Sequence, residues 1–151
     1  MEHEDCAFCQ IAAGAAPAHR VYETDSTVAF LDIRPVKRGH TLVIPRTHVA
    51  ELPGLEPELG METFRVVHLI ACAMRDARIG ADGANIVVND GRAAFQTVAH
   101  THFHVVPRSR GDKTQLAAGL ITRRGTRLPD IAAALRSAIH DTAQRQDEYP
   151  A

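Results

Sequence analysis

Apolar residues recur along this chain at two spacings, one typical of strands and one typical of helices. Residues 20–23 and 27–31 are short runs of β-forming residues, and the turn-like residues between them predict a hairpin. Residues 41–45 predict a third strand. Residues 85–89 predict a fourth strand, which is followed by an Asp-Gly turn signal.

Three other segments have the pattern of helices. A short helix is predicted over residues 6–13, and a C-terminal helix over residues 129–146, where Pro129 suits the first turn. The longest helix is predicted over residues 57–78. Its apolar stripe would be buried in a core or in an interface, and it comprises Met61, Phe64, Val67, Ala71 and Met74. Strands in sequence with flanking helices predict an α+β fold on a mostly antiparallel five-stranded sheet.

The fifth strand is predicted over residues 98–107, and it carries three histidines spaced by two. Because side chains alternate between the faces of a strand, His100, His102 and His104 are expected on one face. Phe103 and Val105 would lie on the other face, where they can join a core. Neighbouring imidazoles contribute little to packing and repel one another when protonated. The pattern therefore indicates a site that binds a metal or performs nucleophilic or acid/base chemistry.

Composition narrows the class of protein. The 151 residues are 45% hydrophobic and 23% charged, with a net charge of −1, and this length fits one domain. Such a balance of charge provides no field for holding nucleic acid. The acidic N-terminus lacks the pattern of a signal peptide, and no apolar run is long enough to span a membrane. We therefore expect a soluble cytoplasmic protein that binds neither nucleic acid nor membrane.

The chain has three cysteines, an odd number that argues against a disulfide framework. Cys6 and Cys9 have the spacing of zinc ligands. A redox pair and two small buried residues are the alternatives for them. Cys72 falls in the helical pattern and is expected to be a small buried residue.

Amide and hydroxyl side chains accompany the histidines. Asn89 ends the fourth predicted strand, and Gln96 and Thr97 enter the fifth, where they could orient a phosphoryl group and its leaving atom. Together with His100, His102 and His104, they resemble the signature of the histidine-triad (HIT) superfamily of nucleotide hydrolases and transferases. Residues 6–11, 28–33 and 39–48 are similar too, in the family's order. The resemblance covers about residues 6–108 and is closest in type to zinc-bearing bacterial members of the purine nucleoside phosphoramidase branch.

The resemblance implies a HIT-like fold over a single domain, residues 1–151, and covalent catalysis. A neutral imidazole, with a pKa of about 6.5, is largely deprotonated at pH 7 and nucleophilic. The implied nucleophile is His102, which would form a nucleotidyl-histidine at the α-phosphate. His104 and His40 would contact phosphate oxygens or assist proton transfer, and Thr97 would help to protonate the leaving group. No metal is required for the chemical step, because histidines and amide dipoles supply the electrostatic stabilisation.

The resemblance also implies how a nucleotide is held. Asp32 would accept hydrogen bonds from the ribose hydroxyls, while Asn89 and Gln96 would steady the phosphate and the leaving side. The apolar walls around a purine would be Phe8, Ile11, Phe30 and Ile33. For these four residues, ordinary core packing is the alternative.

A second site is implied for zinc. In zinc-bearing members, the positions of His48 and His100 complete a Cys₂His₂ set with Cys6 and Cys9. Four protein ligands leave no open coordination position, so the Zn²⁺ would be structural and would pin the N-terminal helix to the sheet.

Two features depart from the family pattern. Phe95 stands where relatives usually have glycine, so the loop beside the phosphate is expected to be bulkier. The stretch 108–127 is strongly basic. It is either a solvated loop or a segment that brings Arg108 or Lys113 to a second phosphate or the leaving group, across a dimer interface.

The leading hypothesis is a HIT-type hydrolase or nucleotidyl transferase that releases a purine mononucleotide from a phosphoramidate or an acyl-nucleotide. A dinucleoside polyphosphate hydrolase is the alternative among enzymes, and a nucleotide-binding regulatory module with little turnover is the alternative outside them. The near-neutral net charge of the chain argues against a zinc-stabilised protein that binds nucleic acid. Family members are usually homodimers, so a homodimer is expected.

Overall fold

The computed structural model describes residues 5–148, whereas residues 1–4 and 149–151 lie outside the described part. The strands are β1 (Arg20–Glu23), β2 (Thr27–Leu31), β3 (Thr41–Pro45), β4 (Gly83–Val88) and β5 (Phe103–Arg108). The α-helices are α1 (Ala7–Ala13), α2 (Pro57–Ala73), α3 (Lys113–Thr122) and α4 (Leu128–Glu148).

The five strands form one sheet in the order β1-β2-β3-β5-β4, and every pair is antiparallel. β5 therefore lies between β3 and the edge strand β4. In the register of the sheet, His104 is opposite Leu42 on one side and Val87 on the other. The predicted α+β fold, with its five-stranded antiparallel sheet, long helix and C-terminal helix, is confirmed.

The sheet has a different apolar cluster on each face. Strands β2 and β3 are buried at every position, because both of their faces are covered. On one face the main core joins the sheet to α2 and α4, with Leu31, Val43, Ile70 and Leu135 at its centre. The smaller cluster, on the face of Leu42, packs α1 against the sheet.

The long helix differs from the prediction in its end and in its stripe. It ends at Ala73 rather than at residue 78, because residues 74–80 continue in tight turns. Val67 and Met74 are fully buried as predicted, but Met61 and Phe64 are 59% and 47% exposed. The buried face of α2 lies instead along Thr63, Val66, Val67, Leu69, Ile70 and Ala73.

The fifth strand begins five residues later than predicted. Residues 98–102 leave the sheet's ladder, because the His100 N–H donates to the Val98 carbonyl and the Thr101 N–H to the Val49 carbonyl. Of the three histidines, only His104 lies within β5. The prediction that one strand face displays all three is therefore wrong.

The basic stretch 108–127 contains a helix, α3, which the sequence pattern did not reveal. Gly119 lets this helix lie directly on the β2–β3 loop, because a Cβ atom at this position would be 1.7 Å from the Val36 carbonyl oxygen. No helix among residues 5–148 is long and apolar enough to cross a membrane.

Candidate active site and metal site

The bend before β5 separates the histidines into two sites. His102 and His104 have ring centroids 4.9 Å apart, and the ring of Phe8 in α1 contacts both His102 and His100 edge to face. The ring of His100 turns instead towards His48, with their centroids 5.1 Å apart. His102 and His104 therefore belong to one site, and His100 belongs to another.

The hydrogen bond of His102 defines its tautomer. Its Nδ1–H donates to the carbonyl oxygen of His100 over 2.7 Å, so in the neutral ring Nε2 carries the lone pair. His102 is only 3% exposed, and burial lowers its pKa below the usual range, although the hydrogen bond to His100 opposes this shift. The ring is thus neutral at pH 7 and has the protonation state of a nucleophile.

His40 and His104 are joined in a directed chain of hydrogen bonds. The Val36 N–H donates to His40 Nδ1 over 3.2 Å, so His40 Nε2 carries the proton, which it donates to His104 Nδ1 over 2.9 Å. In neutral His104 the proton is consequently on Nε2, which is a donor for an anion. Burial lowers the pKa of His40 and of His104 to about 4 each, and their proximity to other histidines contributes to both shifts.

Asp32 lies directly after β2 and is 9% exposed. Its Oδ1 accepts from the Arg34 N–H over 2.7 Å. Its Oδ2 is 3.5 Å from His40 Nδ1 and 3.9 Å from Arg123 Nη2. Because Nδ1 of His40 already accepts from Val36, we treat the contact with His40 as one between a neutral ring and a carboxylate, not as an ion pair.

The four residues predicted as purine walls have different surroundings. Phe8 and Phe30 pack edge to face with centroids 5.6 Å apart and are almost completely buried, and Ile11 lies at the margin of the same cluster. Ile33 is 67% exposed. The two phenylalanines are therefore part of the core, whether or not they also contact a purine, and the Ile33 side chain is accessible to a ligand.

Gln96 shapes the loop between β4 and β5. Its Oε1 accepts from the Gly91 N–H, and its Nε2 donates to the carbonyls of Ala50 and Val98. Thr97 beside it is exposed, and Asn89 at the end of β4 is half-buried. Gln96 thus holds together the loop that carries Thr97.

The departure at Phe95 has a structural counterpart. This residue has a φ of 66°, a left-handed conformation that favours glycine, and its side chain is 83% exposed. The bulkier loop expected from the sequence is therefore a bulky exposed side chain on a backbone turn that suits glycine.

Cys6, Cys9, His48 and His100 converge at the N-terminus of α1. Their ligand atoms all lie within 4.8 Å of one another. The Sγ of Cys9 is 3.2 Å from His48 Nδ1 and 3.5 Å from His100 Nδ1, and the Sγ of Cys6 is 3.6 Å from His100 Nδ1. With the usual Zn–S and Zn–N bond lengths, a tetrahedral ion separates sulfur from nitrogen by about 3.5 Å. The donor set and its spacing therefore fit zinc.

The surroundings of these four residues suit a metal as well. The His100 Nε2–H donates to the Pro45 carbonyl over 2.9 Å, which turns Nδ1 towards the cysteines. Burial and the hydrogen bond with Cys6 raise the pKa of the Cys9 thiol to about 11, and a bound cation would reverse this shift by stabilising the thiolate. All three cysteines are free thiols, and Cys72 is half-buried.

The predicted role of the basic stretch changes with the structure. Arg108 binds the side chains of Asp112 and Asn85, and Asp112 also accepts from Lys37, so Arg108 is committed to holding the start of α3. Lys113 is exposed on the first turn of that helix. Arg123 of this stretch lies beside Asp32, and Arg124 lines a cavity with Asp32 and His40; no local sequence signal distinguishes either from its basic neighbours.

Comparison with known proteins agrees with this geometry. The HIT domain model matches residues 13–111. An uncharacterized HIT-like protein of Mycobacterium tuberculosis is 46% identical over 134 residues, covering 89% of this chain and 92% of the relative. An adenosine 5′-monophosphoramidase of Schizosaccharomyces pombe is 39% identical over 103 residues, covering 68% of this chain and 74% of the relative.

A solved structure is similar over nearly the whole chain. The Zn-bound histidine triad family protein from Mycobacterium smegmatis has a TM-score of 0.86 and 45% identity, covering 95% of this chain and 99% of that one. The chain therefore belongs to the HIT domain family, and the resemblance seen in the sequence is confirmed.

Proposed function

We propose that this protein hydrolyses or transfers a purine nucleotide at its α-phosphate, with His102 as the nucleophile. The observation that carries the proposal is the hydrogen bond from His102 Nδ1 to the His100 carbonyl, which leaves Nε2 with its lone pair in a buried, neutral ring. The S. pombe relative named as an adenosine 5′-monophosphoramidase supports a phosphoramidate as the substrate.

The reaction has two steps in this proposal. First, His102 Nε2 forms a bond to the α-phosphorus, the bond from phosphorus to the leaving group breaks, and the leaving group takes a proton from solvent that the Thr97 hydroxyl relays. Water then attacks the same phosphorus and returns one proton to solvent, and the bond to Nε2 breaks, which releases the nucleotide and neutral His102. The His100 carbonyl accepts from Nδ1 throughout and stabilises the positive ring of the intermediate.

Other groups would bind the nucleotide. His104 Nε2–H is the donor to a phosphate oxygen, and His40 fixes that tautomer from behind. Asp32 would accept from the ribose hydroxyls, and Ile33 with Ile11 would contact the purine beside Phe8 and Phe30. Asn89, Gln96 and Thr97 would lie on the leaving side. None of these roles needs a metal in the chemical step.

The enzymatic alternative loses one of the two basic residues that were proposed to serve it. A dinucleoside polyphosphate leaves as a polyanion, for which basic residues near the triad were the supporting feature. Arg108 is occupied by Asp112 and Asn85. The intact histidine triad likewise favours turnover over a regulatory module.

We further propose that Cys6, Cys9, His48 and His100 hold a structural Zn²⁺. The spacing of their ligand atoms and the Zn-bound relative from M. smegmatis support this assignment. The ion would tie α1 to the segment before β5, and it would thereby fix the His100 carbonyl on which the tautomer of His102 depends.

A homodimer is also part of the proposal. Met61 and Phe64 on α2 are exposed, and Ile86 and Val87 on the edge strand β4 are 41% and 43% exposed. An edge strand with exposed apolar residues beside an apolar helix face is typical of an interface. A second copy of the chain would cover this surface.

The deciding experiment compares wild type with His102→Ala. AMP release is followed by chromatography from adenosine 5′-phosphoramidate and from a diadenosine polyphosphate. We expect turnover of the phosphoramidate and a loss of at least about a thousandfold in the variant, since the nucleophile is removed. His140→Ala, at an exposed position on α4, is the matched control. Activity that survives in His102→Ala would refute the mechanism, and preference for the polyphosphate would favour the alternative.

A further inference from the structure

Three contacts fix the segment 109–127 against the β2–β3 loop. The carboxylate of Asp112, 4% exposed, accepts from Lys37 in that loop and from the Ser109 N–H. Gly119 places the backbone of α3 on the Val36 carbonyl, and a Cβ atom on Gly125 would lie 3.2 Å from the Ile33 carbonyl oxygen. The segment is thus packed backbone to backbone along the loop that begins with Asp32 and ends with His40.

Arg123 ends α3 at this contact. Its φ is 45°, the left-handed conformation with which many helices end, adopted here by a residue other than glycine. The guanidinium is 3.9 Å from Asp32 Oδ2, and the side chain is 35% exposed. This distance is that of an ion pair without a close hydrogen bond, so the guanidinium is near the carboxylate but not locked to it.

Ribose hydroxyls can donate to either oxygen of the Asp32 carboxylate, and one of these is the oxygen that Arg123 faces. Oδ1 accepts from the Arg34 N–H and keeps a second acceptor site. Oδ2 faces His40 Nδ1, which carries no proton, and Arg123. When ribose hydroxyls donate to Oδ2, the attraction that holds the guanidinium there weakens, and the arginine can turn to another anion.

The register of the sheet gives the side of the site on which Arg123 lies, and Arg123 is close enough to His104 to contribute to the lowering of its pKa. The paired residues Leu31, Thr41 and Val105 form one row across the sheet. Asp32 and His40 lie just beyond this row, on one side of His104. Asn89 follows the row Val88–Phe103, on the other side of His104. Arg123 is therefore on the nucleoside side of the site, away from the residues assigned to the leaving group.

The two histidines His40 and His104 supply no positive charge to a phosphate. His40 and His104 are both held neutral by burial, so they offer N–H dipoles but no full charge. An anionic phosphoryl group is bound more strongly by a charged donor, and arginine presents two parallel N–H groups to it.

We propose that Arg123 is a substrate-binding residue that pairs with Asp32 in the free protein and donates to the α-phosphate of the bound nucleotide. This inference rests on the proposed function, and it assigns the residue to the part of the substrate that is common to every leaving group. The glycine contacts and the left-handed turn at the end of α3 place this cation beside Asp32.

The test compares AMP with adenosine by calorimetry on the full chain. In Arg123→Gln, we expect AMP to bind about tenfold to a hundredfold more weakly, the loss of a hydrogen bond to a charged group, while adenosine affinity changes less than twofold. Arg123→Lys should recover part of the loss, because it keeps the charge but not the paired donors. Arg127→Gln, which removes the same charge from an exposed arginine paired with Asp130, should change neither affinity.

Kinetics provide a second measurement. The kcat/KM values for adenosine 5′-phosphoramidate and for a diadenosine polyphosphate should fall by the same factor in Arg123→Gln. A loss confined to one of the two substrates would place Arg123 at the leaving group and overturn the inference. Equal changes in AMP and adenosine affinity, or none, would also overturn it.

Failure of this inference can be told apart from failure of the proposed function. If wild type binds AMP and both Arg123 variants bind it equally well, only the role of Arg123 is refuted. If wild type binds no AMP, the proposed function fails and this inference fails with it. Should circular dichroism show that Arg123→Gln is unfolded, the AMP-to-adenosine comparison in Arg123→Lys decides.

Discussion

Acid should destabilise this protein through His40 and His104, because both are neutral and buried in the folded chain. Burial is the largest cause of their low pKa values. For His40 the nearby Asp32 carboxylate opposes the shift, whereas Arg123 and His102 add to it. We propose to isolate this effect with His40→Gln. The amide nitrogen of glutamine can replace Nε2 as donor to His104, but it does not titrate.

The magnitude follows from the two states of His40. Its pKa is about 4 in the folded protein and about 6.5 in the unfolded chain. Between these values the unfolded chain binds a proton that the folded chain does not, so the free energy of unfolding decreases as the pH falls. A histidine with these pKa values costs about 2 kcal/mol of stability between pH 7 and pH 5.

The assay is urea unfolding at pH 7, 6 and 5, followed by circular dichroism because the chain has no tryptophan. Wild type should lose about 2 kcal/mol more than His40→Gln between pH 7 and pH 5. The cysteine–histidine site is present in both proteins, so its contribution largely cancels in the difference. His104 is present in both as well, but its pKa rises when His40 is removed, which enlarges the difference. Parallel pH dependences in the two proteins would refute the claim that His40 is buried and neutral.

Two further predictions concern the metal site and the interface. Cys9→Ser should lose bound zinc, measured by elemental analysis, and should melt at a lower temperature. It should keep residual turnover, because His102 and His104 remain. The control Cys72→Ser should keep both the metal and the stability. Freshly purified wild type without zinc would contradict this assignment. Met61→Glu should convert a dimer to a monomer in light scattering, because it places a charge on the exposed face of α2, whereas Ile121→Glu on α3 should not. A monomeric wild type would contradict the proposed interface.

Much of the fold could be predicted because its signals are local. The hairpin of β1 and β2 and the strand β3 have the predicted bounds, since β-forming residues and turn residues alternate there. The start of α2 and the course of α4 followed from helical periodicity and from proline at the first turn. The family signature added the order of the motifs, and the HIT domain match confirms it.

The errors arose where long-range contacts override a local pattern. Residues 98–102 have strand-like alternation, but the Thr101 N–H pairs with Val49 and removes them from the ladder. Met61 and Phe64 fit a helical stripe, but the sheet packs against the neighbouring face of α2. The helix α3 has few apolar residues facing a core, and what fixes it is the contact of Gly119 with Val36.

The sequence by itself determined the class of protein, because its motifs and their spacing resemble those of the HIT family, and that resemblance implied the nucleophile candidate and the candidate metal ligands. Only the tertiary structure decided how the histidines are divided: a bend before β5 turns His100 towards Cys6, 94 residues away, while His102 two residues later faces His104. It also decided that Arg123, rather than Arg108 or Lys113, lies beside Asp32. The physical reason is that such proximity depends on how strands pair and where a backbone bends, and side-chain patterns along the chain encode neither directly.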